Sequence, residues 1–295
     1  MEYLLFCLAL GLFQGLTEFL PVSSSGHLAL IEAFFGGAIG SSGNLTALNL
    51  LLHAGTLAAV LIVFRRDVKR IAAAAWPLLK KLRGGKARGG AALTYDERTL
   101  IALIFGCLPL AALKAADLLL DGICHVGVLD AVDKYVTRSP AVVGGLLIVN
   151  GLFLFLADKA KEKKAGKAPC ARDGLIVGLW QTVAVLPGIS RSGATTCGAR
   201  FLGYPAEEAL RFSFLLSVPA VFGALLGEIP GAFASGALDE RTLPALLAGT
   251  AAAFAAGLLS IRLLQAAAKR SSFRYFSFCC WGVGAAAIVC RIVLK

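Results

Sequence analysis

Six apolar runs in this 295-residue chain are long enough to cross a bilayer as helices: Leu45–Phe64, Thr99–Ala116, Ala141–Ala157, Ala206–Gly227, Leu243–Ala267 and Tyr275–Val293. A crossing needs roughly 20 predominantly apolar residues. Within lipid, every backbone polar group must be satisfied inside the protein, which a helix does along its own length. The runs therefore predict an all-α polytopic membrane protein and exclude a soluble helical domain. Composition agrees, with 58% hydrophobic and only 16% charged residues, where a soluble domain carries about a quarter charged.

Charge gives the orientation. The formal net charge is +11, and the basic residues concentrate in connections rather than in one patch. "RRDVKR" at 65–70, "KKLRGGKAR" at 80–88, "DKAKEKKAGKAPCAR" at 158–172 and "KRSSFR" at 269–274 are basic, while 117–140 and 228–242 are mixed or acidic. The positive-inside rule puts the basic set in the cytoplasm and Asn44 and Lys295 outside. The charge thus reports topology, and a nucleic-acid partner is excluded. The Gly/Lys/Arg loop around 80–98 is expected to be mobile and solvated. "MEYLLFCLAL" has Glu2 where a cleaved signal needs a basic start. The eight cysteines form no CxxC pair and read as packing residues.

Two segments, 1–44 and 173–205, begin as apolar helices, break at Pro, Ser and Gly, and resume. Irregular backbone at membrane depth is tolerated only when buried in protein or lining a wet cavity, so both read as re-entrant helical hairpins. They also resemble each other. Gly11-Leu12 aligns with Gly174-Leu175, and Gly15-Leu16-Thr17-Glu18 with Gly178-Leu179-Trp180-Gln181. Past Pro21 and Pro187, Val22-Ser23-Ser24-Ser25-Gly26 aligns with Ile189-Ser190-Arg191-Ser192-Gly193. Three crossings separate the hairpins, so the second enters from the opposite side. The expected architecture is six full spans plus two hairpins in an inverted-topology repeat, residues 1–157 and 173–295 around a basic linker at 158–172.

The hairpin tips gather the polar residues. Gln14 and Glu18 share a helix face, and Ser23, Ser24, Ser25 and His27 follow the first break. The second tip supplies Ser190, Arg191, Ser192, Thr195 and Thr196. A helix N-terminus with hydroxyls and a guanidinium fork suits phosphate oxygens. Glu18, Ser24 and His27 supply acid, base and nucleophile candidates, and ionisable residues inside a membrane are functional by default. The plainer reading makes Glu18 and Arg191 a structural ion pair and the serines helix caps. His53 and Asn49 are candidates for the pocket lining but, on a full span, are expected rather to hydrogen-bond to neighbours. Ser217 is expected to satisfy backbone near Pro219, Lys114 and Asp117 to snorkel, and Glu207, Glu208 and Arg211 to sit at the interface.

"QGLTEFLPVSSSGH" and "LPGISRSGAT" resemble the bacterial undecaprenyl-diphosphate phosphatase family of the bacitracin-resistance type, over essentially the whole chain. The resemblance implies hydrolysis of undecaprenyl diphosphate to undecaprenyl phosphate, which recycles the lipid carrier of peptidoglycan synthesis. It implies a divalent cation, Mg2+ or Ca2+, with the family's acidic pair falling on Gln14 and Glu18. It places catalytic roles on Glu18, Ser24, His27 and Arg191, and phosphate binding on Ser23, Ser25, Ser190, Ser192 and Thr195. The implied partner is the lipid substrate, shared with bacitracin; the basic loops suit membrane lipids, and a homodimer is one candidate assembly, the oligomeric state being left open by the sequence. The implied place is the bacterial plasma membrane, with the site open to the outer face.

Departures are the glutamine at position 14, the basic insertion around 80–98 and an extended 117–140. Membrane acid-type lipid phosphatases share Ser-Gly-His and Ser-Arg stretches but need a second histidine that is missing after Ser190-Arg191. Two mechanisms fit: attack by Ser24 with His27 or Glu18 as base, or attack by an activated water or by His27 itself. A polyprenyl-phosphate transporter using the same pocket is the rival from another class.

Overall fold

The computed structural model describes residues 2–35, 43–83, 92–124, 127–234, 242–270 and 273–293. Twelve α-helices and one π-helical turn make up its regular structure. In chain order they are α1 (Glu2–Phe19), α2 (Ser24–Phe35), α3 (Gly43–Val63), α4 (Arg65–Arg83), α5 (Tyr95–Cys124), α6 (Val128–Val132), the π-turn Asp133–Thr137, α7 (Pro140–Asp158), α8 (Ala171–Val183), α9 (Arg191–Phe201), α10 (Ala206–Ala234), α11 (Leu243–Lys269) and α12 (Arg274–Val293). The helical class and the multi-pass pattern are as expected.

By length and composition α1, α5, α7, α10, α11 and α12 can each cross a membrane. The first expected span is α3, which bends by 81° into α4. At 18 residues α1, expected as half of a re-entrant hairpin, is itself long enough to cross, and it ends at a buried loop at 21–23. With 12, 13 and 11 residues, α2, α8 and α9 are too short to cross.

Small residues bring the broken helices against the spans. A β-carbon on Gly11 or Gly15 would overlap the backbone carbonyls of Gly249 and Ala253 in α11. A β-carbon on Gly174 or Gly178 would overlap those of Ala102 and Gly106 in α5. The two glycine pairs that align in sequence therefore serve the same packing, α1 on α11 and α8 on α5. Without a hydrophobic drive between helices in lipid, such close approach is a main source of association.

The basic connections converge at one end. Arg211 of α10 pairs with Asp67 of α4. The Gly166 amide donates to Glu208 Oε1 at 2.8 Å, and the Phe273 amide to Asp158 Oδ1 at 3.1 Å. Arg200, almost fully buried, donates to the carbonyls of Ala157 and Ala160 and to Glu162. Between this end and the polar interior lies an aromatic layer, Phe19 and Phe64 both packed on Phe214 at 5.6 and 5.4 Å between ring centres.

Two local expectations change. Residues 65–83 are a helix rather than a loop, because Ile71, Ala74 and Leu78 form a buried stripe at helical spacing. The basic residues on its other face hid that stripe in any span-length average. Asp117 does not snorkel: its Oδ1 accepts the Leu129 amide at 2.9 Å and anchors the start of α6. Residues 84–91 of the loop expected to be mobile, and Lys295, lie outside the described residues.

Gly15→Leu and Gly178→Leu should each push a half-helix off its span and cost well over the roughly 1–3 kcal/mol of ordinary overpacking. Gly223→Leu, on a face with nothing within 4 Å, should leave the melting temperature in detergent nearly unchanged. Equal loss in all three, read by thermal melt and size exclusion, would remove the packing argument.

Candidate active site

Each break, between α1 and α2 and between α8 and α9, turns on a serine. The Ser23 hydroxyl accepts the Gly26 amide at 3.2 Å, and the Ser190 hydroxyl accepts the Gly193 amide at 3.2 Å. Both are N-caps, of α2 and α9, at positions that align in sequence. So these two hydroxyls do carry the plainer role of capping broken helices. Ser23 has φ +69°, the left-handed region that a non-glycine residue seldom enters, and Gly188 opposite has φ +108°. Backbone held there by its surroundings is a feature of functional sites.

The two loops touch. Ser23 Oγ also accepts the Gly188 amide at 3.2 Å, and a β-carbon on Gly26 would overlap the Gly188 backbone. Asn150, near the middle of α7 and fully buried, then bonds both loops. Its Nδ2 donates to the Pro21 carbonyl at 2.9 Å, and its Oδ1 accepts the Ser190 amide at 3.0 Å. One side chain thus satisfies an orphan acceptor in one loop and an orphan donor in the other.

Glu18, at the last turn of α1, is the centre of the polar cluster. The Arg191 guanidinium binds its Oε1. Its Oε2 accepts from Ser24 Oγ at 3.0 Å and from Gln14 Nε2 at 3.0 Å. Glu18 is largely covered, while Arg191 and Ser24 reach the surface of a cavity of about 190 Å³. Its walls include Ser23, Ser25, Ser190, His53, Glu228 and Leu225. The N-terminus of α9 is buried apart from Arg191, but Ser190 and Arg191 bring its positive dipole end to one side of the cavity.

Not every expected residue faces this cavity. His27 Nδ1 lies 2.8 Å from the Ser23 carbonyl, and its ring sits 6.3 Å from that of Phe13. It braces the strained loop and is absent from the cavity wall. Thr195 and Ser192 lie one layer deeper. Thr195 Oγ1 meets the Arg191 carbonyl at 2.8 Å and Ser213 Oγ at 2.5 Å, so it supports Arg191 from beneath. Ser217 donates to the Phe214 carbonyl of its own helix at 2.7 Å, in keeping with a backbone role.

His53 has more to do than its span position suggested. Its Nδ1 lies 2.8 Å from the Asn49 carbonyl, which only accepts, so the ring proton sits on Nδ1. Its Nε2 then accepts from the Gln14 amide nitrogen at 3.2 Å. The Gln14 NH2 group is shared between His53 and Glu18, which fixes the amide with its donor end toward the carboxylate. Asn150 and Glu228 were missed in the sequence. A lone amide in the apolar run Ala141–Ala157 was the available signal for Asn150.

A divalent cation would find a sparse donor set. Glu18 and Glu228 are the lining carboxylates, Gln14 turns its nitrogen toward Glu18, and no cluster of three His, Cys, Asp or Glu exists among the described residues. This set fits a cation carried in on phosphate oxygens and anchored by one carboxylate, a common arrangement for Mg2+.

Residues 7–286 match the family model described as bacitracin resistance protein BacA. A protein named undecaprenyl-diphosphatase from Desulfatibacillum aliphaticivorans is 38% identical, over 96% of this chain and 97% of its own. One so named from Korarchaeum cryptofilum is 37% identical over 95% and 96%. Undecaprenyl-diphosphatase 1 of Bacillus licheniformis is 35% identical over 95% of each.

Asn150→Leu should leave the Pro21 carbonyl and the Ser190 amide buried without partners, at about 1–3 kcal/mol each. The expected result is a clear drop in melting temperature together with faster proteolysis in the loops at 20–23 and 184–190. A variant as stable as the parent would mean that the two loops hold together without the amide.

Proposed function

The chain belongs to the bacitracin resistance protein BacA family, and on that premise we propose that it hydrolyses undecaprenyl diphosphate to undecaprenyl phosphate and inorganic phosphate. The observation that carries the reading is the hydrogen bond from Ser24 Oγ to Glu18 Oε2, at 3.0 Å on the wall of a polar cavity. A hydroxyl already donating to a carboxylate is a nucleophile–base pair suited to phosphoryl transfer. A polyprenyl-phosphate carrier would need the cradle around Arg191 but has no use for that pair.

In the proposed reaction Ser24 Oγ attacks the terminal phosphorus while Glu18 takes its proton. The bond from phosphorus to the bridging oxygen breaks, and undecaprenyl phosphate leaves. Water then attacks the phosphoserine, phosphate is released and Ser24 regains a proton. Arg191 exchanges its contact with Glu18 for the phosphoryl oxygens, where its charge matters most. The positive dipole end of α9 faces the same oxygens. His27 acts as a positioning residue, holding the Ser23 carbonyl so that Ser24 points at Glu18. Glu18 rather than His27 is the base in this account, since it holds the hydroxyl.

Electrostatics supports a cation requirement. The lining holds one permanent cation, Arg191, against two carboxylates, Glu18 and Glu228. A diphosphate adds further negative charge, so a divalent cation would supply the missing neutralisation. Glu18 is the residue to anchor it, with Mg2+ or Ca2+ as the proposed ions.

The cavity is lined by Val221, Ala224, Leu225 and Glu228 in the second half of α10, whereas the start of α10 sits among the basic connections. With the basic end in the cytoplasm, the mouth lies toward the outer face of a bacterial plasma membrane. There the polyprenyl chain can stay in lipid between spans. The matching glycine contacts and matching serine caps support the proposal that the halves are an inverted repeat whose tips meet at this site.

Phosphate release from a polyprenyl diphosphate by purified protein in detergent tests the proposal. Mg2+ should support release, and EDTA should abolish it. Arg191→Ala should lose about 10³-fold or more, and Ser24→Ala and Glu18→Gln about 10²–10⁴-fold. His27→Ala should lose less than either. Folded, lipid-binding protein with no release would sink the hydrolase and favour the carrier, and Ser24→Ala at full rate would exclude the serine route.

His53→Leu should reduce turnover by leaving Gln14 free to rotate, whereas His53→Gln, which keeps an acceptor, should restore most of it. Equal rates for the two variants would make His53 a bystander.

A further inference from the structure

A second cleft lies at the end of the molecule away from the polar cavity. It spans about 710 Å³ between the corner of α3 and α4, the first turns of α10 and the last turns of α11. Five cations line it, Arg66, Arg70, Arg211, Arg262 and Lys269, together with the carboxylates Asp67, Glu207 and Glu208. Pairing separates them. Arg211 is tied to Asp67, Arg70 to Asp96, and Glu208 accepts the Gly166 amide. Among the described residues Arg66, Arg262 and Lys269 have no partner, and they outnumber the two lining carboxylates that lack a cation, Glu207 and Glu208.

The walls between these charges are apolar, with Val63, Phe64, Leu210 and Ala266. The setting points to lipid. Because α4 leaves α3 at 81°, it lies nearly in the plane of a membrane that α3 crosses. It buries Ile71, Ala74 and Leu78 against the protein. Away from that stripe it exposes Trp76 and Leu79, and at its end Leu82, with the Lys80 ammonium over the Trp76 ring at 5.3 Å. An amphipathic helix with exposed Trp and Leu and flanking lysines sits at the depth of the lipid headgroups. Unpaired cations at that depth, beside apolar walls, match a ligand with an anionic head and an acyl body.

We propose that this cleft holds an anionic phospholipid by its headgroup phosphate, with Arg66, Arg262 and Lys269 as the contacts. The site is separated from the polar cavity by the layer of Phe19, Phe64 and Phe214. It is independent of the hydrolase reading, since binding is measured without turnover.

The test is native mass spectrometry of the full chain in detergent, titrated with phosphatidylglycerol, phosphatidylcholine or inorganic phosphate. The parent should retain phosphatidylglycerol and not phosphatidylcholine. The triple variant Arg66→Gln, Arg262→Gln, Lys269→Gln should weaken phosphatidylglycerol binding about a hundredfold, at roughly fivefold for each charge near the surface. A control triple variant, Lys159→Gln, Arg172→Gln, Arg274→Gln, removes the same charge at the same end outside the cleft and should weaken it far less. Equal losses would show a diffuse field and overturn the site. Equal retention of phosphatidylcholine would do the same, as would displacement of the lipid by millimolar inorganic phosphate, which would identify a site for soluble anions. Matching thermal melts of the two triples exclude misfolding. If the cleft triple melts early, the three single variants carry the test, and no loss in any of them overturns the proposal.

Discussion

Two interrupted helices meet in the interior, and each interruption leaves peptide groups that lipid cannot satisfy. The polar interior depends on how those groups are answered. Asn150 answers one in each loop, the Pro21 carbonyl and the Ser190 amide. Ser23 answers two more, the amides of Gly26 and Gly188. The loops are thereby welded to each other and to α7. Only with that backbone fixed can Arg191, at the start of α9, reach Glu18 at the end of α1.

The same arrangement explains why the site is reactive rather than merely stable. Glu18 is largely buried yet has three donors around it, a guanidinium, a hydroxyl and an amide. Those three donors converge on its two oxygens, so the carboxylate is held in one orientation toward the cavity. Its charge is also divisible: Arg191 and Ser24 both border the cavity and can turn to a phosphoryl group, while Gln14 stays behind, held by His53. The ion pair that looks structural in the resting protein is the reserve of positive charge for the substrate.

Much of this was legible in the residues. The helical, multi-pass class, the basic end and the two breaks at Pro, Ser and Gly follow from hydropathy and from the cost of unsatisfied backbone in lipid. Glu18, Ser24 and Arg191 stood out as polar groups where apolar ones were expected, and they converge. His27 stood out for the same reason but serves the loop, since sequence shows that a side chain is near a break and not which way it points. Asn150 was hidden among apolar neighbours, and His53 was rated as an ordinary span histidine, because their partners are more than 35 residues distant. The amphipathic α4 escaped because its buried stripe is averaged away by the charges on its other face.

By itself the sequence determined the class of the protein, its likeness to a family, and which side chains are too costly to lie in lipid. Those are consequences of transfer free energy, which each residue carries wherever it sits. The tertiary structure decided which oxygen of Glu18 meets the hydroxyl and which meets the guanidinium. It also decided which histidine faces the carboxylate through Gln14, and which basic residues are left without a partner at the far end. Those choices depend on hydrogen-bond directions and on distances of about 3 Å between segments remote in the chain, and only the packing of the helices sets them.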